Sequence, residues 1–281
     1  MPPAAAPRFP PVRRFSLAAA AALNKAAEKA LLAKIFGRQR GRPGALDRRL
    51  LVWLHLRMVR RLELIRHHRP ATPPAPDGAA GVHNARVALA PSDPAWRTSA
   101  ATELAALRAA LDPAAQVQHI GSTAIEDLVA KPILDLAVVL PPERFDATLP
   151  PTVRALQDLG YRFVGIRGGC FFEKGRHPVR THALQIHPAD SLVLADLLRF
   201  RARLVDEPDF RADYAAIKAS LADLFPRQRV FYAIYKSHWI DECQWRHSGI
   251  AHWSDWFVAQ EREQVRLAEA MGRLSPIVRP T

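Results

Sequence analysis

The sequence predicts an α/β protein: a small mixed sheet flanked by helices, with a basic helical hairpin ahead of it and a helical C-terminal half. Three observations carry this reading. Residues 117–140 read as a strand, a Gly-Ser turn and a longer apolar strand. The segments after them switch between two-residue and 3.6-residue apolar periods. Before them, two basic amphipathic stretches end at a Pro/Ala linker.

Taken in order, residues 1–11 are Pro/Ala-rich and are expected to be disordered. Ser16–Phe36 is expected as a helix, with Ser16 at its N-cap and Gly37 as its stop. Arg38–Gly44 is a basic breaker. Asp47–His67 is a second helix on which Leu50, Leu51, Leu54, Met58, Leu62 and Ile65 form an apolar stripe, with Arg57, Arg60, Arg61 and Arg66 on other faces. Ala71–Gly81 is the clearest linker. Helix Pro94–Leu111 leads into the hairpin Val117–Ile120 and Pro132–Leu140. Helix Pro142–Leu159 closes at Gly160. Strands at Tyr161–Arg167, Cys170–Gly175 and His182–His187 form an apparent meander, with Phe172 and Lys174 on one side and Phe171 and Glu173 on the other. Helices at Ser191–Val205, Pro208–Phe225, Arg227–Arg246 and Ser254–Met271 complete the chain. The aromatics of the second of these, Phe210 and Tyr214, fall on a core stripe.

Composition bounds the class. At 281 residues, 49% hydrophobic and 24% charged, the chain supports one sizeable core with an appendage. Cys170 and Cys243 give neither a disulfide framework nor a CxxC metal spacing and read as reduced thiols, which points to the cytoplasm. No run reaches the ~18 apolar residues of a membrane span. The formal net charge is +13, but it is uneven: residues 1–70 hold sixteen of the 40 Lys and Arg and three of the 27 acids, which leaves 24 of each in residues 71–281. Any partner sought by the positive charge is therefore a partner of residues 1–70, and both nucleic acid and an anionic surface fit; the plainer reading is a helical hairpin docked on the core or on a second copy of itself, with solvated arginines. The acid-poor start also has the look of a targeting helix, against which Glu28 speaks.

The chemistry-bearing stretch is HIGSTAIEDLVAKPILDL, His119–Leu136. Gly121 lets backbone N–H groups approach a phosphate, Ser122 and Thr123 add hydroxyls, and Asp135 on the next strand offers a hard oxygen ligand for Mg²⁺. Strand, Gly-Ser, then strand with Asp is the layout of the nucleotidyltransferase fold. The stretch resembles the signature of the GrpB family within that superfamily, HIGSTAVPGLAAKPIIDI. The resemblance continues through Val87–Leu111 (an opening strand, an Asp-Pro-x-Trp turn and a first helix) and THALQIH (Thr181–His187). It runs on through Arg199–Ala222 and YAIYKSHWI (Tyr232–Ile240), covering about residues 85–250 in collinear order. It implies a segment order of extension 1–70, linker 71–84, domain 85–250 and C-terminal helix and tail 251–281.

What the resemblance implies for the site is a nucleoside triphosphate bound with Mg²⁺ at Asp135. Gly121, Ser122, Lys131, Arg201, Lys218 and Lys236 are placed on the phosphates, Glu173 as a further carboxylate for the metal, and His182 as a base or metal ligand. Polar atoms of Gly121, Ser122, Lys131 and Asp135 are expected within about 10 Å of one another, the span of a triphosphate with its metal. Each residue has a plainer alternative: Ser122 as a cap, Lys131 as a surface lysine, Asp135 paired with Arg201 or Lys218, Glu173 in a salt bridge, His119 as a hydrogen-bonded strand residue. The chain also departs from the family. Two-metal transfer needs two acids two residues apart on one strand, and Ala137 stands where the second belongs. Ala183 and Gln185 replace strand histidines, and Ala202 replaces an acid. Three functions stay open: a nucleotidyltransferase with an unknown acceptor, a catalytically silent nucleotide-binding or interaction module, and a nucleic-acid-associated protein acting through its basic extension.

Overall fold

The computed structural model describes residues 11–37, 44–66, 68, 81–83 and 86–274. The expected disordered start, the basic breaker and the linker lie almost wholly outside them. The helices are α1 (Pro11–Gly37), α2 (Ala45–Arg66), α3 (Pro94–Ala110), α4 (Phe145–Asp158), α5 (Leu192–Asp206), α6 (Pro208–Leu224), α7 (Arg229–Arg246) and α8 (Trp253–Gly272). The strands are β1 (Val82–His83), β2 (Gln116–Ile120), β3 (Leu134–Leu140), β4 (Arg162–Arg167), β5 (Gly169–Lys174), β6 (Val179–Arg180) and β7 (His182–Pro188). The mixed α/β architecture is the one expected.

The main sheet has the order β2-β3-β7-β5-β4. Its β3–β7 pair is parallel and its other pairs are antiparallel. β1 and β6 form a separate two-stranded ribbon. Local chemistry fixes the ends of the elements. Asp93 accepts from Ala95 N–H at 2.9 Å and Pro94 opens α3, which suits a ring that has no N–H to leave unpaired. At the end of α4, Tyr161 N–H returns to Leu156 O and Gly160 N–H to Gln157 O, with Gly160 at φ 84°. That is the left-handed helix stop glycine adopts freely. The expected opening strand at Val87 is only a bridge, Ala90 with Ala130. Pro91 follows at once and has no N–H to extend a ladder.

Strand register separates the sheet's two faces. Residues paired across neighbouring strands point to the same side. Leu136, Val138, Leu140, Phe172, Cys170, Leu184 and Ile186 share one face and form the main core with Leu107 of α3, with Leu149, Val153 and Leu156 of α4, and with Leu267 and Met271 of α8. Each fully buried leucine or phenylalanine there contributes about 1.5–3 kcal/mol of transfer free energy. The opposite face carries Asp135, Ala137 and Val139 of β3 beside Ala183, Gln185 and His187 of β7.

By compactness the chain divides into two units. The sheet unit gathers α3 to α5, the strands and α8 from residue 260 onward. The helical unit gathers α1, α2, residues 86–89, α6, α7 and the start of α8. Within the helical unit the basic hairpin packs against the other helices. Leu31 and Ile35 of α1 and Leu51 and Leu54 of α2 share a core with Trp253, Trp256, Phe257 and Val258 of α8. Tyr235 of α7 donates to Leu17 O at 2.9 Å. The expected inward stripe of α2 holds except at Leu50, which is 40% exposed while Leu51 is fully buried. The two stand about 100° apart on a helix, so only one can face the core. Phe210 and Tyr214 stack on Trp239 at 5.5 and 5.3 Å, as core aromatics should.

Candidate functional site

The connection from β2 to β3 opens with a 3-10 turn, Ser122–Ala124, with Gly121 at its N-cap. Gly121 has φ 71° and ψ −171°, a region that is essentially glycine's alone. It also has no room for a side chain: a Cβ there would lie 2.6 Å from Asp135 Cβ and 2.9 Å from its Cγ. Asp135 is Ile120's partner in the β2–β3 ladder, so its carboxylate stands over the glycine turn. Gly121 at the N-cap has no side chain to cap the turn, and the first amides of so short a turn have no acceptor within it. The turn is anchored from beneath. Thr123 Oγ1 donates to Ile133 O at 3.2 Å and therefore accepts from His119 Nε2–H at 3.0 Å. Burial, with the charge of Arg201 added, pushes the His119 imidazole down to about 4. His119 is thus a neutral, hydrogen-bonded strand residue at neutral pH.

Arg201 of α5, one of the residues expected on the phosphates, carries a charge that is felt at His119. It is half-buried and its Nε is buried without an acceptor. Arg199 is engaged by Asp196 at 2.5 Å. Lys218 and Lys236 belong to the helical unit, where Lys218 is buried with its ammonium 4.9 Å from the Tyr214 ring centre and Lys236 is half-buried. Lys131 is half-buried immediately before Pro132.

On the Asp135 face the row runs Asp135, Ala183, Glu173, Arg162 across four strands. Glu173 is therefore two strands from Asp135, about 10 Å at usual strand spacing. It is already taken by Arg162 and, at 3.5 Å, by Arg180. Ala137 is fully buried in the next row, between Gln118 and Gln185. No group of three His, Cys, Asp or Glu among the described residues is placed to hold a metal.

His182 falls on the other face. Its register partners are Leu134 and Lys174, not Asp135. Thr181 Oγ1 donates to Lys174 O at 3.1 Å and accepts from His182 Nδ1–H at 2.8 Å. Its Nε2 is 3.8 Å from Glu103. Burial and the neighbouring Lys174 depress the imidazole, against the pull of Glu103. Glu103 also receives Lys174 Nζ at 2.8 Å and Tyr161 OH at 3.0 Å, so His182 completes a polar cluster under α3.

Sequence reasoning missed the arginines of the Asp135 face. Arg167 and Arg180 stand over the Phe171 ring, 5.4 and 5.8 Å from its centre, and Arg180 Nε is buried without an acceptor. Arg162 and Arg167 are five residues apart and would point to opposite sides of a regular strand. A bulge between Phe163 and Gly165 brings Arg167 round to the face of Arg162. The only sequence signal was Gly165 inside a strand pattern. A cavity of about 290 Å³ lies elsewhere, beyond the C-terminal ends of β3 and β7, lined by Pro142, Pro188, Asp190, Glu263 and Arg266 among others.

The profile of the family described as GrpB protein matches residues 86–246. UPF0157 protein PA4798 of Pseudomonas aeruginosa is 37% identical over 170 residues, 57% of this chain and 68% of that protein. UPF0157 protein BH1888 of Halalkalibacterium halodurans is 32% identical over 163 residues, 57% of this chain and 82% of that one. The crystal structure of conserved protein GrpB from Enterococcus faecalis aligns at 26% identity with a TM-score of 0.49, covering 57% of this chain and 98% of that chain.

Proposed function

The chain belongs to the GrpB family, and from that premise we propose that the Gly121–Asp135 turn binds the phosphates of a nucleoside triphosphate without efficient nucleotidyl transfer. The observation that carries the reading is the contact of Asp135 with a glycine that has neither room nor conformation for any other residue. A carboxylate over a turn whose first amides have no acceptor within it suits a phosphate only when a cation sits between them. The residues fit one Mg²⁺ brought in by the nucleotide, with Asp135 as its sole protein carboxylate, since Mg²⁺ commonly takes one carboxylate and completes its shell with phosphates and water. They do not fit the two-metal arrangement, because Ala137 supplies no acid and Glu173 is engaged by arginines.

Each residue then has a role within the chain's own chemistry. Ser122 and the turn amides orient the terminal phosphates. Thr123 and neutral His119 hold the turn in shape, and Arg201 adds positive potential from α5. The reading is tested by thermal melts of the full chain with ATP, GTP, CTP or UTP and Mg²⁺, and by transfer assays with each. Binding raises the melting temperature of the wild type, leaves Asp135→Asn and Ser122→Ala close to their nucleotide-free values, and gives weak turnover or none. Brisk transfer that survives Asp135→Asn overturns both the residue assignment and the silent reading.

A further inference from the structure

α2 is apolar on two sides. Its inner stripe, Leu51, Leu54, Met58, Leu62 and Ile65, is buried. On its outer side Leu46, Leu50, Trp53, Arg57, Arg60 and Leu64 recur at spacings of four, three, four, three and four, so they lie along one face. Arg49 and Leu56 flank them. Leu46 is 65% exposed, Trp53 53% and Leu64 62%, and Leu50 and Leu56 are exposed as well. A surface helix normally keeps its solvent side polar, and so many large apolar side chains along one face mark a surface that something else covers. The Arg57 guanidinium sits 4.5 Å from the centre of the Trp53 ring, which holds a cation beside the exposed indole. Neither Arg49 nor Arg60 has an acidic partner among the described residues.

Charge decides what kind of cover fits. Every ionised side chain on this stripe is an arginine; Glu63 lies on the flank and Asp47 is turned inward onto Lys34. A second copy docking here would bring two sets of arginines into one interface with no carboxylate on the stripe to offset them. Nucleic acid would neutralise the arginines but would leave the leucines in water, because phosphates and base edges offer aliphatic side chains little. An anionic bilayer answers both: leucines and the indole enter the boundary of the acyl chains while arginines reach the headgroups. The helix, about 33 Å long at 1.5 Å per residue, would lie in the interface rather than cross it. No helix among the described residues is long and apolar enough to cross.

We propose that the outer face of α2 docks this protein on an anionic lipid bilayer, with Leu46, Leu50, Trp53 and Leu64 inserted and Arg49, Arg57 and Arg60 on the headgroups.

Full-length protein is sedimented with vesicles of phosphatidylcholine alone and with vesicles containing about one third phosphatidylglycerol. It is expected to pellet with the anionic vesicles only, and less as salt rises from about 50 to 500 mM. Leu50→Glu with Leu64→Glu weakens binding by roughly tenfold or more while the melting temperature stays that of the wild type, since both side chains face solvent. Should that pair disturb folding, Trp53→Phe provides a second reading: brominated phosphatidylglycerol must quench the wild type more than this variant. Failure to bind anionic vesicles overturns the proposal. So does a dimer in light scattering that Leu50→Glu/Leu64→Glu converts to monomer, which makes the face a self-interface. Salt-sensitive binding to RNA without vesicle binding assigns it to nucleic acid instead. None of these outcomes depends on whether the Gly121–Asp135 turn binds nucleotide.

Discussion

The side chain of Asp135 occupies the space beside Gly121 that a Cβ would need, 2.6 Å from Asp135 Cβ. The acid and the turn were therefore fixed together: the strand carrying the carboxylate closes on the loop only where the loop has no side chain. This couples local conformation to chemistry, because the same glycine that admits the acid leaves the turn's amides accessible beside it.

Gly121→Ala should be strongly destabilising for two separable reasons. The φ of 71° with ψ −171° costs a non-glycine residue about 1–3 kcal/mol, and the contact with Asp135 adds to it. In an Asp135→Ala background the second contribution is relieved and the first remains. Denaturant melts of the four proteins should show Gly121→Ala costing less when Asp135 is absent. Equal costs in both backgrounds would mean the close approach carries no energy.

Restoring the second acid should not restore catalysis. Ala137 is fully buried between Gln118 and Gln185 on its face. An aspartate there is desolvated between two amide side chains, and burying an unpaired carboxylate costs several kcal/mol. Ala137→Asp is expected to lower the melting temperature steeply and to give no transfer with Mg²⁺ or Mn²⁺. Gain of transfer in this variant would show that the strand face is open to a metal after all.

Stability should decline on mild acidification. Burial holds His238 down to about 3, with His55 and Lys25 adding to it, and burial holds His187 down to about 4. For such groups the unfolded state takes up the proton first, so stability is full above the unfolded value near 6.5 and is lost as pH falls towards the folded value. At pH 5 each contributes a loss of about 2 kcal/mol, taking 1.36 kcal/mol per unit. Glu103 and Glu242 act in a lower window. Burial raises them, but Lys174 at Glu103 and His55 and Arg246 at Glu242 bring both below the usual carboxylate value. Their contribution holds above about 4.5 and is lost as pH falls further. Urea titrations at pH 7, 6 and 5 should show midpoints falling across the first window. His187→Gln or His238→Gln should flatten the part of that fall due to its own histidine.

The hairpin, the Gly-Ser turn and the meander were legible because period-two runs and a glycine mark them directly. What sequence could not show was which face of the sheet a residue joins. His182 and Asp135 look alike as polar residues on apolar strands, yet a register of Leu134 to His182 puts them on opposite sides. The bulge at Phe163–Gly165, invisible to a regular alternation, gathers arginines that had no assigned place. The last helix lies outside the family match at residues 86–246. Yet Glu263 of α8 accepts from Leu192 N–H at 2.9 Å at the start of α5, and Gln264 accepts from Gly168 N–H at 2.9 Å. Long-range polar contacts of this kind leave no periodic trace.

The same blindness affects the N-terminal hairpin, whose linker suggested a tethered arm. Deleting residues 1–80 should not leave a soluble module. Leu31, Ile35, Leu51 and Leu54 would be stripped from Trp253, Trp256, Phe257 and Val258, and Tyr235 would lose its acceptor at Leu17. Re-exposing several aromatic and aliphatic side chains at about 1.5–3 kcal/mol each rivals the whole 5–15 kcal/mol stability usual for a domain. The truncated chain is expected to aggregate or to melt without cooperativity. Point substitutions sharpen the test within the full chain. Leu51→Ala should cost about 2–5 kcal/mol, whereas its neighbour Leu50→Ala, facing solvent, should stay within about 0.5 kcal/mol. A soluble fragment from Gly81 onward with a sharp melt, or equal costs for Leu50 and Leu51, would return the hairpin to the status of an appendage.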